Sequence, residues 1–529
     1  MLWPIVIAAT AFPAQPNPNP NPIVNERLDQ RPPKPIVSPQ RRPRGRTAIA
    51  ASQSNARIRT IDFQGVEAPA RVAEAAKAFL GRQATRATLT ELAGALSKAY
   101  ELTDIALYTV AVPDQNFKDG VVVVELVEGW VDKVEIKGPH NQHSGLLERR
   151  ADKLIGEKPL SRSRFERQSA LMQSIPGLKL DATFENPEGD ESVALVVTPH
   201  QKRWDGAIGI NNYGSELIGT MVLQAGVDFY HTLADGDQLS FSGYATPNFR
   251  NYRALDAAYA IPIGEDGLKL SANAAWIETR ARKIDIKGNA KAAGLTLSYP
   301  ILRRAKYAAD VSFGVDGVNS DNALFGNIFA TERSRAARLA GAFVSASESD
   351  NLQLSAVVSH GLDIFGANVG DTGAQIGFTK FNFAASYERL LSKRLFARLN
   401  GSAQYSSDRL PAVELFSIGG ASLGRAFGTG ISTGDRGLGG FAELAYRPLS
   451  SGKFQRSEIY LFSDAAALKI NRRPTIASRS FSLASAGGGL RVKYKDRVQV
   501  GVEAAQVLKR PFDAYRKDLR INFYYTLLF

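Results

Sequence analysis

Arg425, within GGASLGRAFGTG (residues 419–430), and Asp464, within YLFSDAAAL (residues 460–468), are the residues of this chain whose types invite a specific contact. A guanidinium offers a planar fork of donors that a carboxylate accepts in pairs. Glycines on both sides of Arg425 let its loop bend back toward a wall. The plainer alternative is a loop arginine in water and a separately solvated carboxylate, because charges facing a wet interior are ordinary. Spacing alone leaves both open. Other chemistry has little support. His140 and His143 stand in HNQH with no further ligand nearby, which fits a surface turn better than a metal site. Cysteine is absent, which removes disulfides, thiol catalysis and thiolate metal ligation and suits passage through an oxidising periplasm. No GKS or GKT accompanies the glycine runs, the pair Gly439 and Gly440 included, and no Ser-His-acid grouping follows from spacing. Neither an enzyme nor a cofactor is expected.

The segments around Arg425 and Asp464 read as the wall of a barrel. From Trp204 onward helical spacing gives way to alternation. Met221, Leu223, Ala225, Val227 and Phe229 alternate with Val222, Gln224, Gly226, Asp228 and Tyr230, and Tyr307–Asp316 and Val498–Ala505 repeat the pattern. The second face is small and polar, the kind that lines water, and neither a soluble sandwich nor a propeller explains it in nearly every strand. On the same parity Ile459 and Leu461 face lipid, while Tyr460, Phe462 and Asp464 face the lumen. Segments between turn signals number about sixteen, an even count as bacterial barrels require. The closing stretch RINFYYTLLF sets Ile521, Phe523, Tyr525, Leu527 and Phe529 on one face and Arg520, Asn522, Tyr524 and Thr526 on the other, as the last strand of such a barrel. Beyond the N-terminus no apolar run reaches the roughly 20 residues of a spanning helix, so a membrane-integral form has to be a closed barrel.

Ahead of the barrel the chain is organised in pieces. MLWPIVIAATAFPAQ reads as a signal peptide over residues 1–14, with small residues at Ala9 and Ala11 but no basic start. Residues 15–56 are Pro-rich and basic, expected to be an extended plug or linker that a short helix, Ile23–Gln30, could interrupt. Two α+β modules follow, residues 57–129 and 130–203, each ordered strand, helix, helix, strand, strand with a repeat of about 75 residues. Gly65 and Gly138 close equivalent strands, Gly81 and Gly156 end equivalent helices, and Thr88 with Glu91 is expected to form a capping box. Residues 204–529 form the barrel. The net charge of +13 is scattered among 52 acidic residues without an aromatic-basic groove, so nucleic acid is not an expected partner.

Two such modules before a sixteen-stranded all-β transmembrane barrel resemble the polypeptide-transport-associated (POTRA) domains and barrel of the Omp85 superfamily. Within it the chain is similar to two-partner secretion transporters of the haemolysin-activator and filamentous-haemagglutinin-secretor type. Two motifs carry the likeness. Gly424, Arg425, Ala426 and Phe427 stand at the family's V-R-G-Y/F positions on a loop folded into the barrel, and Phe462 and Asp464 match its F-x-D-x-G, with Ala466 replacing the final Gly. The resemblance implies an Arg425–Asp464 pair, with Phe427 packing beside it against Tyr460 and Phe462. It also implies a C-terminal insertion signal at Phe523, Tyr525 and Phe529 read by barrel assembly machinery. The implied function is export of one dedicated exoprotein across the outer membrane by a monomeric pore, with the modules in the periplasm receiving the cargo. A factor inserting other barrel proteins shares the fold and both motifs; a small-solute porin shares only the barrel.

Overall fold

The computed structural model describes residues 54–529 apart from 118, 139–144, 186–190, 283–284, 326, 450, 475–476 and 496. The signal segment, the Pro-rich stretch with its Ile23–Gln30 helix and the HNQH turn lie outside the described residues. The chain divides at Lys202–Arg203 into a unit of modules and a unit of barrel.

The first module contains β1 (Thr60–Gly65), α1 (Ala70–Lys77), α2 (Arg86–Tyr100), β2 (Tyr108–Ala111) and β3 (Val121–Glu128). The second repeats it with β4 (Trp130–Ile136), α3 (Gly145–Asp152), α4 (Arg162–Gln173), β5 (Leu178–Glu185) and β6 (Ser192–Gln201). In both, the last strand lies central, parallel to the first and antiparallel to the second. Leu89, Leu92, Leu96 and Tyr100 of α2 pack on Val122, Val124 and Leu126 in one core. The repeat extends to backbone detail: Gly65 and Gly138 have φ of +95° and +118°, where a side chain is strained. The capping box is corrected. Thr85, three residues earlier, is the N-cap and accepts from the Thr88 amide at 3.3 Å, while Glu91 pairs with Arg82 at 2.6 Å. Thr85 satisfies an end amide of the helix that Thr88, already inside the first turn, does not reach. Its counterpart Ser161 caps α4 in the same way.

The modules interlock. Ala106 and Leu107, which follow α2 of the first, are buried in the core of the second. The Asp104 carboxylate accepts from the Ser163 amide at 2.9 Å at the start of α4, where a negative charge suits the helix N-terminus. Leu107→Ala is therefore expected to lower the stability of a 54–202 fragment by about 2–5 kcal/mol, in one transition rather than two. Urea denaturation of that fragment checks both the size and the single transition.

The barrel strands are β7 (Trp204–Asn211), β8 (Val222–Tyr230), β9 (Gln238–Ala245), β10 (Tyr252–Ile263), β11 (Leu268–Arg280), β12 (Ile286–Arg303), β13 (Tyr307–Leu324), β14 (Asn327–Ala346), β15 (Asp350–Gly361), β16 (Thr379–Ser392), β17 (Leu395–Tyr405), β20 (Arg436–Tyr446), β21 (Glu458–Ile470), β22 (Arg479–Tyr494), β23 (Val498–Lys509) and β24 (Leu519–Leu528). These sixteen close into one antiparallel barrel, and the short β18 (Phe416–Ile418) and β19 (Ser432–Gly434) form a separate ribbon in the loop between β17 and β20. Closure leaves no open edge for lipid to meet, which is what lets strands cross a membrane. The expected parity holds: on β21 Ile459 and Leu461 are exposed, and Tyr460, Phe462 and Asp464 are buried inside. On β24 Ile521, Tyr525 and Phe529 face out while Asn522 and Thr526 are buried.

The seam is short. β24 pairs with β7 only from Tyr524 to Leu528. Phe529 extends it with two backbone bonds to Gly206, at 2.9 and 3.0 Å, and its ring meets Trp204 edge-on at a centroid distance of 5.7 Å. Beyond the paired stretch the Asn212 side chain substitutes for backbone, its amide donating to Ile521 O at 2.8 Å and its carbonyl accepting from the Phe523 amide at 2.9 Å.

Candidate functional site: a loop held inside the barrel

The β17–β20 loop turns into the lumen and carries Arg425 to mid-wall. Glycine makes the approach possible. Gly424 has φ of +121°, and Gly439 on β20 leaves room for Leu423, whose Cδ2 lies 3.0 Å from where a Cβ would stand.

Arg425 and Asp464 meet, though differently from the expected pair. The Asp464 carboxylate accepts from the backbone amide of Arg425 at 3.0 Å and from the Ser485 hydroxyl at 2.6 Å. Among the described residues no ion pair joins it to the guanidinium, which bonds instead to Glu443 at 3.2 Å and Glu503 at 3.3 Å. The guanidinium lies between two rings, 4.5 Å from the centroid of Phe441 and 4.2 Å from that of Phe462. The physical reason is reach. With its own amide against Asp464, the long side chain of Arg425 extends past that carboxylate to the next two. Phe427 shares one buried apolar cluster with Tyr460 and Phe462, and its ring also meets Tyr515 at a tilt with centroids 5.1 Å apart, while Tyr460 lies under Arg491 at 3.7 Å. The Tyr515 hydroxyl donates to Ala426 O, the Ala426 amide donates to Ser485 Oγ, and the Asn522 side chain donates to Arg425 O. The amides and carbonyls of Arg425 and Ala426 are thus all gripped by the β21–β24 wall and the β23–β24 connection.

The guanidinium enters a larger network. Arg398 bonds Glu388, Glu443 and Glu458, Arg491 bonds Glu443 and Glu458, and Arg447 bonds Glu458. With Arg425 and Glu503 that makes four guanidiniums and four carboxylates, balanced in charge and largely buried. A balanced cluster stays ionised out of water because each charge has partners; removing one member strands another. Among the described residues, Glu443 would keep Arg398 and Arg491 after loss of Arg425, whereas Glu503 would keep only the neutral donors Tyr460 and Asn522, at 2.8 and 2.9 Å. The sequence reading missed Glu443, Glu503, Ser485, Asn522 and Tyr515. Lumen parity in GGFAELAY and VQVGVEAA marks Glu443 and Glu503 as inward carboxylates, a signal that was available.

The fold and the site define a closed sixteen-stranded membrane-type barrel with two amino-terminal α+β modules and an arginine loop pinned inside its lumen. Residues 190–492 match the family model for the haemolysin secretion/activation proteins ShlB/FhaC/HecB, and residues 56–129 match that for the ShlB-type POTRA domain. The chain belongs to the haemolysin secretion/activation family. It is 19% identical over 460 residues to the heme/hemopexin transporter protein HuxB of Haemophilus influenzae strain 86-028NP, covering 83% of this chain and 80% of HuxB. It is 22% identical over 371 residues to the outer membrane transporter CdiB of Escherichia coli, covering 66% and 61%. The solved structure of Escherichia coli CdiB superposes with a TM-score of 0.70 at 17% identity over 96% of this chain and 95% of that one. BamA from Haemophilus ducreyi lacking POTRA domains 1–3 gives 0.54 at 15% identity over 90% and 100%. The protein is a two-partner secretion transporter of the outer membrane, with its modules in the periplasm, that exports a dedicated exoprotein.

Proposed function

We propose that the modules receive the unfolded exoprotein and that the Arg425 loop controls its way through the lumen. The observation that carries this is the grip on Arg425: a buried, charge-balanced wall cluster holds a glycine-flanked loop inside the conduit, an arrangement a fixed porin would not need. Residues 57–129 and 130–203 are assigned as the two receiving modules and 204–529 as the conduit. In the second module β5 is an eight-residue sheet edge, the longest edge strand of the two modules. An extended cargo segment adds there as a further strand, main-chain bonds supplying affinity. Segment 15–56 acts as plug and linker after removal of residues 1–14. The chain works as a monomer, inserted by barrel assembly machinery that reads Phe523, Tyr525 and Phe529. Export draws on folding of the cargo outside the cell rather than on hydrolysis.

The 54–202 fragment should bind the amino-terminal part of the exoprotein, and amide exchange across Leu178–Glu185 should slow on binding. Absence of binding places recognition outside the modules; binding with unchanged exchange at β5 moves it off that edge.

A further inference from the structure

The loop is fastened twice, the second time at its root and to wall residues other than those that hold Arg425. Its root, residues 406–418, contains a single helical turn, Ala412–Glu414, and the strand β18. The Glu414 carboxylate accepts from Arg338 of β14 at 2.7 and 3.2 Å and pairs closely with Lys380 of β16. Lys380 is fully buried, and it also donates to Glu414 O at 3.1 Å, as Gln404 of β17 does at 3.0 Å. Arg338 is itself set by Asp316 of β13 at 2.9 Å and Ser359 of β15 at 3.0 Å. Three strands therefore reach Glu414 directly, and two more act on it through Arg338. A lysine with no exposure is tolerable only beside a fixed anion, and Glu414 supplies it.

The tip differs. Gly419 and Gly420 both have φ of +92°, and Gly430 has +68°, so residues 421–429 hang between glycines whose backbone turns freely where others strain. The root has no such glycine and holds further bonds: the Leu410 amide donates to Asp435 at 2.7 Å, and the Ala412 amide to Glu332 at 2.8 Å.

We propose that Glu414 is a positioning residue that keeps the root of the loop seated on the β13–β17 wall, so that only the tip around Arg425 swings during secretion. The division protects the conduit: a tip tethered by a seated root returns to its cluster, whereas a loop free from end to end has a far larger set of positions to lose on closing. The inference rests on the secretion reading for its purpose, but its test reads loop position in the membrane and does not depend on export.

The chain has no cysteine, so single reporters are unambiguous. Val413→Cys reports the root and Ala426→Cys the tip, both at buried positions. Labelling by a small charged methanethiosulfonate is followed in outer membranes for the parent, for Arg425→Ala and for Glu414→Gln/Lys380→Met. The double substitution removes one charge of each sign and leaves Arg338 with Asp316, so no buried cation is stranded. Arg425→Ala should raise the labelling rate at position 426 by more than about tenfold and leave 413 unchanged, while the double substitution should raise 413 by a similar factor. Equal exposure of both positions in Arg425→Ala means the loop leaves as one piece and overturns the proposal. Continued protection of 413 in the double variant overturns the role of Glu414. Should the double variant fail to insert, the Arg425→Ala comparison still decides whether root and tip are separate.

Discussion

Arg425→Ala is expected to leave a heat-modifiable barrel in the outer membrane while export of the partner protein falls by more than about tenfold, because removing one member of a buried charge cluster costs about 3–5 kcal/mol. The loss falls on the loop rather than the wall. Glu443 retains two arginines, and the strand ladders do not involve Arg425. What disappears is the guanidinium stack between Phe441 and Phe462 and the cation beside Glu503. Arg425→Lys should rescue little, since an ammonium keeps the charge but lacks the planar face that lies against Phe441 and Phe462. Asp464→Ala should resemble Arg425→Ala by another route, freeing the Arg425 amide and the Ser485 hydroxyl. The double variant should be scarcely worse than either single one, because all three release the same tip. Export per inserted transporter across the four variants checks this; full export by Asp464→Ala, or strictly additive losses, would contradict it.

Deleting Phe529 is expected to reduce the amount of inserted transporter severalfold, the second large effect. The deletion removes both backbone bonds to Gly206 and the ring against Trp204, at a seam where β24 otherwise offers β7 only five paired residues. Each lost exposed bond contributes about 1 kcal/mol in general, but unpaired backbone facing hydrocarbon costs several. Phe529→Ala keeps the backbone bonds and removes the ring alone. Its insertion should lie between the parent and the deletion, measured as heat-modifiable protein in outer membranes. Gly206→Ala should mimic it, since a Cβ there would stand 2.5 Å from the Phe529 ring.

Parity was the most readable feature of the chain. A strand buried or lipid-facing on one side and wet on the other writes its fold as a period of two, so the barrel, its closing strand and the inward direction of Phe462 and Asp464 all followed from residues a few positions apart. The module repeat was readable for a similar reason: glycines at Gly65 and Gly138 mark backbone that only glycine holds easily. The helix start was misplaced because Thr85 and Thr88 both suit an N-cap, and only the fold of the preceding turn chooses between them. The partner of Arg425 was out of reach for a stronger reason. Glu443 and Glu503 lie 18 and 78 residues away on different strands, and which carboxylate faces a loop depends on barrel register and on how deep the loop sits. Glu414 with Lys380 and Arg338 was hidden in the same way, since no local pattern ties a loop turn to strands 34 and 76 residues earlier.

A chain that exports one protein differs from one that builds the membrane it sits in by what its loss removes. The direct measurement is depletion of the transporter in its host, with the exoprotein assayed in the medium and at the cell surface and the other barrel proteins assayed in the outer membrane of the same cells. The exoprotein should disappear from outside the cell while the other barrel proteins stay at their normal levels. Undiminished exoprotein outside the cell, or a general fall in outer-membrane barrels ahead of any loss of secretion, would contradict it.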